Sequence, residues 1–317
     1  ERGEGALSGN SPIKPAHPCL FHSSPSSSTA LGMSASASST AGDEKQEAAP
    51  VTHCKGVNDL DKVVLREVRG SSAEVYLYGG HVTSWKDEHG DELLFVSNKA
   101  IFKSPKAIRG GIPICFPQFS NFGNLEQHGF ARNRIWAIDT DPPAFPVPTS
   151  NTAYVDLILK PTEEDLKIWP HSFEYRLRVA LSPGGDLMLT SRIRNTNADG
   201  KAFSFTFAYH TYFKVSDIRY VASTLIMNFM GLHVFFVTVV WNPWDKKAKA
   251  MSDFGDDEYK RMVCVEAAAI EKPVTLKPGE EWTGKLELSA VPSSYYSGQL
   301  DPDRVIQDSI VPEDSIS

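Results

Sequence analysis

The feature that most restricts how this chain can fold is a hydrophobic period of two. Phe173, Tyr175, Leu177, Val179 and Leu181 alternate with Glu174, Arg176 and Arg178. After the turn sequence SPGGD, Leu187, Leu189 and Ile193 alternate with Met188, Thr190 and Arg192. Side chains along a strand point to opposite faces in turn, so this spacing predicts a β-hairpin with one apolar face. Related spacing predicts further strands over 74–78, 82–86, 203–210, 262–266 and 282–291, several bounded by Gly or Pro. Only PTEEDLKIW carries helix signals, with Thr162 as the expected N-cap and acidic residues in the first turn. The expected fold class is all-β, a large antiparallel sandwich or barrel.

A chain of 317 residues that is 41% hydrophobic can bury one large core or two smaller ones. Its net charge of −7 argues against a general nucleic-acid binder, and any anionic ligand then needs local positive charge. Cys19, Cys54, Cys115 and Cys264 are scattered without paired spacing, which disfavours a zinc site or a disulfide framework and suits a reducing compartment. Residues 1–50 are of different composition, and SSPSSSTALGMSASASSTAG has too few large apolar residues to offset its ordering entropy. A disordered leader is expected there, followed by a domain over 51–298 and a tail over 299–317. Ser-rich composition also suits a plastid transit peptide, but Glu1, Glu4, Asp43 and Glu44 count against one. A cytoplasmic monomer without membrane association is expected, with plastid import as the alternative.

Two positions stand out by their neighbours. Along SFTFAYHTYF, Phe203, Phe205, Phe207 and Tyr209 fall on one face and Ser204, Thr206, Ala208 and His210 on the other. His210 then projects over small neighbours that leave room for a ligand; the competing reading is a histidine on an ordinary solvated face. Glu266 follows Met262, Val263, Cys264 and Val265 and precedes three alanines, so its carboxylate is expected to be at least partly buried. Buried carboxylates are costly without a partner, which makes Glu266 a candidate for functional use or for a structural ion pair.

The stretch RGGIPICFPQFSNFGNLEQHGFARNRIW mixes cations, hydrogen-bond donors and glycines with phenylalanines. Together with FAYHTYF, VVWNPWDKKAKAMSDFGDDEYKRM, VCVEAAAI and LKPGEEW, it resembles the glucose-6-phosphate 1-epimerases, the hexose-6-phosphate mutarotases of the aldose 1-epimerase superfamily, in plant-like form. The resemblance covers roughly residues 57–217 and 239–299. It implies a β-supersandwich of the galactose mutarotase kind, interconversion of the α and β anomers of hexose 6-phosphates, and no metal or organic cofactor. It also implies that His210 and Glu266 are catalytic and that Arg109, Gln127, His128 and Arg132 bind the sugar and its phosphate.

The residue types suit that chemistry. Anomerisation needs one group to take the proton of the C1 hydroxyl and another to protonate the ring oxygen. With reference pKa values of about 4.3 and 6.5, a carboxylate and an imidazole can serve as base and acid near neutrality. A phosphate dianion calls for guanidinium forks, which Arg109 and Arg132 supply. Gly110 and Gly111 are expected to bring backbone close to the ligand, Pro113 and Pro117 to stiffen the loop, and the phenylalanines to anchor it; Arg134 reads as a surface charge. A solvated Gly-rich turn is the competing reading.

Residues 218–238 depart from the family pattern. IRYVASTLIMNFMGLHVFFVTV stands where the family has further strands and an acidic substrate ligand, so an incomplete sandwich is expected, with VFFVTVVW as a buried strand. The length of 221–241 would also suit a membrane helix, which Asn228, His233, the threonines and the β-branched run weaken. The alternative function is therefore a catalytically impaired sugar-phosphate-binding protein.

Overall fold

A computed structural model describes residues 50–143, 151–220, 226–231 and 237–290, with Tyr220 and 226–231 described for their backbone alone. The expected leader over 1–50 (all but Pro50), the tail over 299–317 and Val291 lie outside the described residues. Fourteen strands appear among them: β1 Val51–Lys55, β2 Asp61–Arg66, β3 Ser72–Tyr76, β4 His81–Lys86, β5 Ile114–Cys115, β6 Ala137–Ile138, β7 Ala153–Leu159, β8 Phe173–Leu181, β9 Leu187–Asn195, β10 Phe203–Lys214, β11 Ile226–Gly231, β12 Val237–Trp241, β13 Met262–Leu276 and β14 Glu281–Ser289. They form three antiparallel sheets, in the orders β1-β2-β3-β4, β12-β13-β10-β5 and β11-β14-β9-β8-β7-β6. The all-β expectation holds.

The predicted hairpin is β8–β9, paired from Phe173↔Asn195 to Leu181↔Leu187. Its apolar alternates are buried: Phe173, Tyr175, Leu177, Val179 and Leu181 are at most 1% exposed. The aromatic face of β10 packs on this sheet, with Phe207 set edge-on to Tyr175 at 6.3 Å and Phe205 against Trp282 at 5.7 Å. Buried hydroxyls on that interface are paired, Tyr175 with Ser191 and Ser191 with Tyr209. The main core therefore lies between the six-stranded sheet and the sheet containing β10, and Val63, Leu65, Val75, Val82 and Trp85 of β2, β3 and β4 belong to the same cluster.

Helix α1, Glu163–Ile168, starts as expected: the Thr162 side chain accepts from the Asp165 amide, and the Asp165 carboxylate accepts from the Thr162 amide. A second helix, α2 Trp244–Ala250, was not expected. The run KKAKA is built of good helix formers, and the Asn242 side chain accepts from the Trp244 amide at the helix start. Residues 218–238 contribute more β-structure than expected, since β11 pairs with β14 and β12 with β13. β12 forms the predicted strand but is not buried: it lies at a sheet edge and Val240 is 68% exposed. No helix among the described residues is long and apolar enough to cross a membrane.

Candidate active site

The site is built around β10. The segment after Arg109 runs antiparallel beside this strand: the Tyr212 amide donates to the Gly111 carbonyl, the His210 amide donates to Pro113, and β5 pairs Ile114 with Tyr209 and Cys115 with Ala208. On the other side β13 pairs with β10 so that Glu266 stands opposite His210. Two blocks far apart in sequence thus meet on one sheet face.

His210 Nε2 and Glu266 Oε1 are 3.3 Å apart, with the residues 6% and 2% exposed. His210 Nδ1 and Glu266 Oε2 are buried without partners among the described residues. Burial pushes the Glu266 carboxyl up to about 8. Burial, followed by electrostatic coupling to His128 and the charges of Arg132 and Arg109, holds His210 well below 6.5. The reference values therefore do not apply: near pH 7 the ligand-free pair is a neutral acid facing a neutral imidazole, with one proton between them. Passing that proton across the contact yields carboxylate and imidazolium without exchange with solvent.

His128 lies edge-on to His210, ring centroids 5.3 Å apart. Its Nδ1 accepts from the Ser120 amide at 3.1 Å and contacts Cys115 Sγ at 3.2 Å. Burial, Arg132, Arg109 and Lys247 lower its pKa to about 3, so it is neutral with its proton on Nε2, a fixed donor.

Arg109 and Arg132 line one cavity of about 430 Å³, together with Lys106, Glu126, Ser252 and Asp253 among others. Arg109 donates through Nε and Nη2 to one carboxylate oxygen of Asp253, at 3.2 and 3.1 Å, and through Nη1 to the Tyr212 hydroxyl at 3.2 Å. Arg132 donates from Nη2 to the Gln127 carbonyl at 2.6 Å, and its buried Nε has no partner among the described residues. Arg132 thus brings a guanidinium to the cavity lining with one of its N–H groups unsatisfied. Gln127 is exposed, and its backbone carbonyl is the group it presents to Arg132. His210 and Glu266 are not part of this cavity's lining. Tyr212 joins the two regions, since its ring stacks on His210 at 4.8 Å between centroids and 12° between planes.

Several expectations for this loop are corrected. Gly110 and Gly111 approach protein backbone: a Cβ would sit 2.3 Å from the Phe95 oxygen or 2.2 Å from the Val82 oxygen, both at positive φ. Phe116, Phe119 and Phe130 anchor the loop in the core, whereas Phe122 is 78% exposed. Arg134 is no free surface charge; it pairs with Asp165 at 2.8 Å and lies over the Phe130 ring. His81, Tyr212 and Asp253 were missed. His81 is fully buried and held neutral at about 4 by desolvation, and its Nε2 donates to the Gly110 carbonyl at 2.7 Å beside Arg109. Tyr212 lies within FAYHTYF and Asp253 within VVWNPWDKKAKAMSDFGDDEYKRM, but only the fold turns them toward Arg109.

Comparison with known proteins identifies the family and the fold. The family model described as aldose 1-epimerase matches residues 61–227 and 236–289. A Cenchrus ciliaris protein assigned as a glucose-6-phosphate 1-epimerase is 59% identical over 300 residues, covering 80% of this chain and 91% of that protein. A Salmonella typhimurium protein with the same assignment is 29% identical over 279 residues, covering 72% and 90%. Among solved structures, a Salmonella typhimurium mutarotase-type protein superimposes with TM-score 0.62 at 24% identity, covering 77% of this chain and 96% of that one. A Lactobacillus acidophilus galactose 1-epimerase gives 0.53 at 14% identity, covering 76% and 98%. At these identities the structures establish the fold alone.

Proposed function

The chain belongs to the aldose 1-epimerase family, and from that premise we propose that it interconverts the α and β anomers of hexose 6-phosphates, glucose 6-phosphate first among them. The observation that carries the reading is the buried pair His210 and Glu266, 3.3 Å apart and linked through Tyr212 to an arginine-lined cavity.

The two groups cover the proton transfers of the reaction. Glu266 as carboxylate takes the proton of the C1 hydroxyl while His210 as imidazolium protonates the ring oxygen, and the bond from C1 to the ring oxygen breaks to give the open aldehyde. After rotation about C1–C2 the ring closes on the other face, and each proton returns to its donor. Arg109 and Arg132 hold the phosphate, His128 Nε2 donates to a sugar oxygen, and Gln127 borders the anion site. Because His210 and Glu266 are nearly sealed, the sugar reaches them only when a covering side chain moves; Trp241, edge-on to His210 at 5.9 Å on the edge strand β12, is placed to do so.

Exchange NMR on equilibrated glucose 6-phosphate tests the reading, since added protein should speed transfer of magnetisation between anomers over buffer. A second reading is favoured by the break in the family match between residues 227 and 236. A chain that binds glucose 6-phosphate but leaves exchange at the buffer rate is a sugar-phosphate binder instead.

A further inference from the structure

Tyr212 is the residue on which the two halves of the site converge. It is 1% exposed, its amide donates to the Gly111 carbonyl at 2.9 Å, and its carbonyl accepts from the Phe95 amide at 2.9 Å. The backbone is pinned on both sides, so the ring has a fixed origin. One face of the ring is stacked on His210, and its hydroxyl oxygen accepts from Arg109 Nη1.

A phenol offers one O–H donor besides its acceptor lone pairs. The contact with Arg109 uses the oxygen as acceptor. Burial pushes the phenol's pKa up, so the group keeps its proton throughout the physiological range. Among the described residues that hydrogen has no acceptor, although it lies at the arginine that lines the cavity. Buried donors are rarely left without a partner. Asp253 engages the Nε and Nη2 fork of the same guanidinium, so a bound anion must share or displace that carboxylate.

We propose that Tyr212 donates its hydroxyl hydrogen to the phosphate held at Arg109, and that its ring fixes the plane of the His210 imidazole. It is then a further substrate-binding group and at the same time a positioning residue. This rests on the hexose-phosphate reading above. Presence of the anion is thereby coupled to the orientation of the acid, which would favour phosphorylated over plain sugars beyond simple charge attraction.

Tyr212→Phe removes the hydroxyl and keeps the ring. Titration of the full chain with inorganic phosphate should show binding weakened about tenfold or more, the usual scale for a hydrogen bond to a charged group. The KM for glucose 6-phosphate should rise in parallel while kcat changes far less. Tyr212→Leu should additionally lower kcat about tenfold or more, and Tyr212→Trp, which restores an aromatic face, should recover part of it. Unchanged phosphate binding in Tyr212→Phe would overturn the hydroxyl's role, and equal kcat in Tyr212→Leu and Tyr212→Phe would overturn the ring's. If the unaltered chain fails to speed anomer exchange while Tyr212→Phe still weakens phosphate binding, the enzymatic reading falls and the anion contact stands.

Discussion

His210 on β10 and Glu266 on β13 are direct partners in the register of adjacent antiparallel strands, and their side chains meet at 3.3 Å. Two residues 56 positions apart are thus aligned by backbone pairing, the most rigid support a sheet provides. Glu266→Gln keeps the shape and removes the base, and His210→Asn removes the acid. Each should cut the acceleration of anomer exchange by about 10² to 10⁴-fold, measured by exchange NMR. Survival of the acceleration in Glu266→Gln would remove the mechanism.

The pH profile follows from the single shared proton. Glu266 gives it up near 8 and His210 gains a second one only well below 6.5. We expect kcat/KM to be level between these limits and to fall above about pH 8, with the acid limb displaced below the usual imidazole range. A base limb near 5 would show that Glu266 is not buried in this way.

The same shift is a statement about stability. Glu266 binds its proton more tightly in the folded chain than in the unfolded one, with values of about 8 against 4.5. Its contribution is therefore fully present below about 4.5 and is lost as pH rises through 8. Melting temperature followed from pH 5 to 8 should decline more steeply for the unaltered chain than for Glu266→Gln. Parallel curves would contradict it.

Phosphate recognition is expected to depend on Arg109 and Arg132 separately. Replacing either with Ala should weaken glucose 6-phosphate binding by about 1.5 to 3 kcal/mol per charge-assisted contact, with binding of plain glucose little affected. Calorimetric titration with both sugars decides this, and equal losses for both would count against the clamp.

Gly110 is expected to be irreplaceable for structural reasons. Its φ of +117° and the 2.3 Å approach of a Cβ to the Phe95 oxygen leave no room for Ala. Gly110→Ala should cost about 2 kcal/mol or more by chemical denaturation and, by moving the adjacent Arg109, weaken phosphate binding too.

What could be read from the chain itself was what strand periodicity and composition encode. The alternation along β10 placed His210 opposite the aromatic face, and the apolar flanks of Glu266 announced its burial. Nothing in the spacing of either strand gave the register that makes them partners, because pairing depends on the whole sheet. Tyr212, Asp253 and His81 escaped for the same reason: each acts through a contact with Arg109 or Gly110 that only the folded chain creates. Phe122 was misread because an aromatic among aromatics looks like core until the loop's course is known. Strand β11 was not foreseen and β12 was foreseen as buried, because the apolar run of that segment fits a buried strand as well as an edge one.

The two faces of β10 carry different duties, Phe205, Phe207 and Tyr209 filling the core while Ala208, His210 and Tyr212 belong to the site. A slip of one residue would exchange them, sending the imidazole into the hydrocarbon interior and a phenyl ring toward the sugar. Point changes on either face can be graded in effect, but an insertion or deletion of a single codon within 203–214 cannot. In this strand the spelling may drift, but the count of letters is fixed.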